Sequence, residues 1–185
     1  MILSIITTVL NNEKFILQCL KSLDNQKINK KNVEHIIIDG GSTDNTIKII
    51  KKFKKKNKNI RFFSKKTSIY QGINYGIKKS KGKIIGVLHS DDFYFNKNVL
   101  NFVKKQFDKN KNLEAIYSNI KIVNKSNENK ILRYFKSKPL KYEDFLRCEH
   151  PPHTSLFIKK NVFKRYGYYN EKFKIASDFE FMLRV

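Results

Sequence analysis

The stretch Gly82-Lys83-Ile84-Ile85-Gly86-Val87-Leu88-His89-Ser90-Asp91-Asp92 decides how this 185-residue chain is read. It predicts a buried strand from Lys83 to Leu88 that runs straight into two adjacent carboxylates. An apolar run bounded by a glycine and polar residues is the pattern of a central strand in a parallel sheet. Open α/β sheets bind their ligands beyond the carboxyl ends of the strands, so Asp91 and Asp92 arrive where such a fold does its chemistry. Two like charges on consecutive residues repel, and a divalent cation relieves them. Hard oxygen ligands suit Mg²⁺ or Mn²⁺. The plainer reading of the pair is a solvated acidic turn capping a helix that starts near Asn96.

Outward from this stretch, strand and helix patterns alternate. Ile2 to Val9 reads as the first strand, with Asn11-Asn12 as turn and helix cap. Phe15, Ile16, Cys19, Leu20 and Leu23 recur at helical spacing as far as Asn25. Val33 to Ile38 is a second apolar strand, ending in Asp39-Gly40-Gly41-Ser42-Thr43-Asp44. A helix carrying Ile47, Ile50 and Phe53 follows, then a short strand, Ile60 to Phe63, and a helix, Ile69 to Lys79. Beyond the central stretch, Val99 to Phe107 reads as a helix and Leu113 to Val123 as a strand. Asn124 to Lys130 is a turn, Ile131 to Phe135 a returning strand and Tyr142 to Cys148 a short helix. Thr154 to Ile158 is again a strand, and a helix starts at Ser177. The alternation predicts a mostly parallel, doubly wound α/β sheet, in a single domain spanning residues 1–185.

Hydrophobic residues make up 40% of the chain and aromatics 13%, which excludes a disordered composition. The net charge is +23, with lysine greatly outnumbering arginine. Such a charge suits nucleic acid, anionic lipid or a polyanionic glycan. Lysines are also what an AT-rich coding sequence supplies, scattered over every solvent face. The basic runs Lys48 to Lys58 and Lys78 to Lys83 lack interleaved stacking aromatics, so no nucleic-acid partner is expected. Two cysteines, Cys19 and Cys148, fit a reducing compartment without a disulfide framework. No run approaches the ~18 apolar residues of a membrane span. The expected setting is cytoplasmic.

Four features are candidates for one cleft. Asp39, at the end of strand two, can accept hydrogen bonds from a base or ribose, or cap the Gly40-Gly41 turn. The turn from Thr7 to Asn11, Thr8 included, lines the same region or is an ordinary β–α connection. Asp91 and Asp92 are the third feature. Asp178 can serve as a general base or sit as a favourable first-turn acid on its helix. Cys148, Glu149, His150 and His153 also lie close enough in sequence for a zinc site, although Pro151-Pro152 stiffens that segment.

Six segments together carry a resemblance. They are Ser4 to Asn12, Glu34 to Asp44, Ile69 to Ile77, Gly82 to Asp92, Pro152 to Phe157 and Ala176 to Phe179. In this order and spacing the chain resembles the family 2 glycosyltransferases of the GT-A fold over essentially its whole length. The resemblance implies that Asp39 contacts a nucleotide base, Asp91 lies near the ribose and Asp92 on a cation. It implies Asp178 as catalytic base and His153 as an acceptor or diphosphate contact. It also implies an inverting transfer from a nucleotide-diphosphate sugar, UDP-linked, helped by Mn²⁺ or Mg²⁺. The expected acceptor is a surface glycan or a lipid-linked saccharide, with peripheral contact to an anionic membrane. A catalytically inactive partner subunit is the alternative. Two departures stand out. Gln71 occupies the place of a frequent acid in relatives, and the chain lacks the C-terminal helices of longer ones.

Overall fold

The computed structural model describes residues 2–185. Its main sheet has six strands in the order β3-β2-β1-β4-β8-β5. Strands β1 (Leu3–Val9), β2 (Val33–Asp39), β3 (Ile60–Ser64) and β4 (Ile84–Val87) are mutually parallel. Strand β8 (Phe157–Lys159) runs antiparallel to both β4 and the two-residue β5 (Ala115–Ile116). Strands β6 (Ile120–Asn124) and β7 (Asn127–Phe135) form a separate antiparallel hairpin. The mostly parallel, doubly wound reading therefore holds.

Side chains alternate across the pleat and explain the two layers. Ile6, Ile36, Ile38 and Ile85 face helix α3 (Ile69–Lys79), whose Ile73 and Ile77 pack on them. Phe163 of α6 (Lys160–Tyr166) and Phe181 of α7 (Ser177–Arg184) extend that layer. On the other face, Leu3, Ile5 and Ile84 meet Cys19 and Leu23 of α1 (Ile16–Asp24) and Leu100 and Val103 of α4 (Val99–Lys109). Helix α2 (Thr46–Lys54) seals the β2 edge of this face through Ile50. A Cβ at Gly86 would sit 2.6 Å from the Phe157 ring, so glycine there lets β8 lie against β4.

The structure corrects several boundaries. The expected strand from Leu113 to Val123 is two pieces, β5 in the main sheet and β6 in the hairpin. Polar Ser118 and Asn119 lie at the break, where the Asn119 side chain holds Ser137 and Tyr134. Residues His153–Ser155 form a 3-10 turn, and the strand begins only at Phe157. Helix α6 was not anticipated. Tyr142–Leu146 forms a short helix, α5, as expected.

Candidate active site

The parallel strands β1, β2 and β4 deliver their carboxyl ends to one pole of the sheet. The connections there are laced together. The Asn11 carbonyl side chain accepts from Thr43 N at 2.8 Å, while Asn11 N donates to the Ser42 hydroxyl at 2.9 Å. Asn11 adopts a left-handed φ of 48°, a conformation asparagine tolerates better than most residues. The Asn12 amide donates to the Ser90 hydroxyl at 2.7 Å, tying the first connection to the acidic stretch.

Asp39 is fully buried and accepts from the backbone N–H groups of Gly41 and Ser42 at 3.1–3.2 Å. It therefore caps the glycine turn, as one of its two readings had it. The Ser64 hydroxyl approaches its Oδ2 at 3.4 Å. Its Oδ1 receives only the shared Ser42 N–H. Thr8 is half-buried and packs on α3, its methyl lying 2.7 Å from where a Cβ on Gly72 would stand.

Asp91 is exposed and Asp92 half-buried beyond the end of β4. They do not cap α4, whose N-cap is Asn98. Burial, and then the charge of Asp91, push the Asp92 carboxyl up to about 6. A carboxylate raised in this way lacks counter-charge. A Mg²⁺- or Mn²⁺-type cation takes one or two protein carboxylates and completes its shell with water and phosphate oxygens. The donor chemistry of the pair fits such an ion.

Asp178 sits in the first turn of α7, two residues after Ala176, which holds a left-handed φ of 65°. Its Oδ1 accepts from the Tyr70 hydroxyl at 2.8 Å, and its Oδ2 from His153 Nδ1 at 2.9 Å. Burial raises the pKa of this carboxyl, but the His153 hydrogen bond and charge, with the Tyr70 bond, bring it well below the usual carboxylate range. His153 Nε2 in turn lies 2.7 Å from His89 Nε2, and the two rings meet edge to face. This contact exists because β8 returns antiparallel beside β4, which puts the turn before β8 at the carboxyl end of β4. Sequence reasoning missed Tyr70 and His89. Both lie within segments that carry the resemblance, but only folding reveals their partners.

The residues of the rival zinc reading do not converge. Cys148 is exposed, His150 packs on Phe179 and His153 is engaged by Asp178. Among the described residues no three His, Cys, Asp or Glu side chains are arranged to hold a metal by themselves. Gln71, the departure in α3, closes a capping box with Ser68: its side chain accepts from Ser68 N at 3.0 Å.

Comparison with known proteins places the family and the fold. The signature of the Glycosyl transferase family 2 matches residues 4–167, and the chain belongs to that family. Its fold is the GT-A fold of these enzymes. An uncharacterised glycosyltransferase of Methanocaldococcus jannaschii is 25% identical over 181 residues, covering 93% of this chain and 60% of that protein. The minor teichoic acid biosynthesis protein GgaB of Bacillus subtilis is 29% identical over 188 residues, covering 95% of this chain and 20% of GgaB. Residues 1–349 of S. aureus TarS, solved in complex with UDP-GlcNAc, superpose with a TM-score of 0.80 at 23% identity. That match covers 100% of this chain and 53% of TarS 1–349. A mannosyltransferase of Pyrobaculum calidifontis, solved with GDP-Man and Mn²⁺, gives a TM-score of 0.74 at 13% identity, over 97% of this chain and 50% of that one. The chain thus spans between about one-fifth and three-fifths of the length of these relatives.

Proposed function

We propose that residues 1–185 form a metal-dependent, inverting glycosyltransferase domain using a UDP-linked hexose or N-acetylhexosamine donor. The acceptor is a hydroxyl of a surface-glycan or lipid-linked saccharide. The observation that carries this reading is the meeting of the two halves of the site. Asp178 is joined through His153 to His89, at the head of the acidic stretch Ser90-Asp91-Asp92.

In this reading the nucleotide lies across the ends of β1 and β2, with Thr8 and Asp39 beneath it. A base engages Asp39 through the lone-pair capacity left on Oδ1 once the neighbouring turn admits it. Asp91 takes the ribose. Asp92 would hold the cation, which supplies counter-charge to the diphosphate as the glycosidic bond breaks. Asp178 accepts the proton of the acceptor hydroxyl. That oxygen attacks the anomeric carbon from the face opposite the diphosphate, which leaves with the bonding electron pair and inverts the centre.

The opposite pole suits an anionic membrane surface. Lys30 and Lys31 precede β2, Lys58 precedes β3, Lys81 and Lys83 precede β4, and Lys159 and Lys160 end β8 at the same end. A cavity of about 630 Å³ there is lined by Lys81, Lys83, Lys111, Lys159, Lys160 and Lys164. No helix among the described residues is long and apolar enough to cross a membrane. Peripheral attachment at the cytoplasmic leaflet follows as the proposed location.

The test is a thermal-shift screen of nucleotide sugars with and without Mn²⁺. One donor should stabilise the protein selectively, and only with the ion. Equal shifts for every nucleotide, or none, would remove the proposal.

A further inference from the structure

Four side chains from four separate segments form one hydrogen-bonded line: Tyr70, Asp178, His153 and His89. The proton arrangement along it is constrained. Asp178 is held as a carboxylate and only accepts, so Nδ1 of His153 carries the hydrogen between them. That leaves Nε2 of His153 facing Nε2 of His89 at 2.7 Å. When the His153 ring is neutral, His89 donates; when it is an imidazolium, His89 accepts. Either way both ring nitrogens of His153 are engaged by protein groups, and its plane is fixed from two sides.

His89 is well placed to do the fixing. It follows Leu88, whose carbonyl accepts from the buried Thr7 hydroxyl at 2.7 Å, and its own carbonyl accepts from Asp92 N at 3.0 Å. It is thus clamped to β1 on one side and to the acidic pair on the other. Its ring is half-buried, with Nε2 committed to His153.

We propose that His89 is a positioning residue for sugar transfer. It locks His153 with Nδ1–H toward Asp178, and so sets the acceptor-side carboxylate against the strand end that carries Asp91 and Asp92. This rests on the transferase reading above. It also redefines His153, which serves Asp178 instead of reaching the donor diphosphate. The general physical basis is that a ring held at both nitrogens loses the rotational freedom that would misplace the carboxylate it carries, and a misplacement of about 1 Å costs up to roughly a hundredfold in rate.

The experiment compares wild type, His89→Leu and His89→Gln, each with UDP and Mn²⁺ binding, steady-state transfer and ring-nitrogen NMR. Leucine keeps the volume and removes the bond; glutamine restores a donor and acceptor at similar reach. Expected are a kcat lower by about tenfold or more in His89→Leu, UDP affinity within about twofold of wild type, and partial recovery in His89→Gln. NMR should show His153 protonated at Nδ1 in wild type, with that signature lost or averaged in His89→Leu. An unchanged kcat, or a kcat that falls only with weakened nucleotide binding, overturns the proposal. If His89→Leu does not fold, the wild-type spectrum decides, since a His153 lacking the Nδ1 proton is incompatible with the arrangement. If wild type transfers no sugar, the transferase reading fails on its own, and the spectrum still tests the lock.

Discussion

The Tyr70 hydroxyl donates to Asp178 Oδ1 at 2.8 Å across 108 positions of sequence. Helix α3 and helix α7 are thereby joined at the group proposed as base. Helix α3 also holds the segment that leads to α7: the Asn74 side chain donates to Tyr169 O at 2.8 Å and accepts from Tyr169 N at 3.1 Å. Tyr70→Phe removes one donor from Asp178, whose carboxyl then rises toward the usual range. A base must be unprotonated, so activity is lost as pH falls through its pKa. The acid limb of the kcat profile should move to higher pH, and kcat at neutral pH should drop about tenfold, as for loss of a hydrogen bond to a charged group. An acid limb unmoved in Tyr70→Phe would mean Asp178 is not the titrating base.

His35 supplies a pH-dependent stability term. The Thr7 hydroxyl donates to Leu88 O, so it accepts from His35 Nε2 at 2.9 Å, and the imidazole is neutral. Burial lowers its pKa from 6.5 to about 3. A depressed histidine contributes stability above its unfolded value and loses it as pH falls from there toward the folded value. At pH 5 the loss is about 2 kcal/mol, or on the order of 5 °C in melting temperature. His35→Gln should reduce this slope between pH 7 and 5 by about half, leaving the comparable part due to His89. Melting curves by circular dichroism measure it, and equal slopes would refute the assignment.

Gly82 lies where β4 enters the sheet. A Cβ there would stand 2.7 Å from the backbone of both Leu3 and Ser4. At Gly76 the nearest obstacles are the side-chain tips of Ile6 and Ile38, at 2.6 and 3.0 Å. Backbone yields less than side-chain ends. Gly82→Ala should cost about 3 kcal/mol, and Gly76→Ala less, because alanine returns about 1 kcal/mol of helix propensity. Urea titration ranks the two, and the reverse order would contradict the packing described.

The lysine-lined pole makes a prediction about surfaces. Lys83, Lys111 and Lys164 are exposed around one cavity. The triple variant K83E/K111E/K164E should bind phosphatidylserine vesicles at least about tenfold more weakly than wild type, with catalysis intact. Each lysine near an anionic surface is worth about 1 kcal/mol, and salt should weaken the binding. Equal sedimentation of wild type with neutral and anionic vesicles would eliminate membrane docking.

The sequence is most transparent where local physics and tertiary packing agree. Helix α3 runs from Ile69 to Lys79 as its periodicity demands, fixed by the Ser68–Gln71 capping box. The buried central strand and its acidic terminus were legible because the apolar run leads directly into the polar turn. Asp39 left two readings open, since a carboxylate after a strand looks the same whether it serves a ligand or the next turn's N–H groups, and the structure shows the turn cap. Helix α6 was opaque: seven residues, three of them basic, offer only Val162 and Phe163 as a buried face. The direction of β8 was equally hidden, because a strand reads alike both ways. The meeting of His89 and His153 depends on that direction, so no inspection of spacing could have found it.

The strands of the β6–β7 hairpin pair with each other and enter between β5 and α5 without adding to the main sheet. Ile122, Ile131, Leu132 and Tyr134 stand exposed on it. It is therefore an interchangeable cassette. Its length and outer face can change while the chain leaves and re-enters the scaffold at the same points, and the main sheet is left undisturbed.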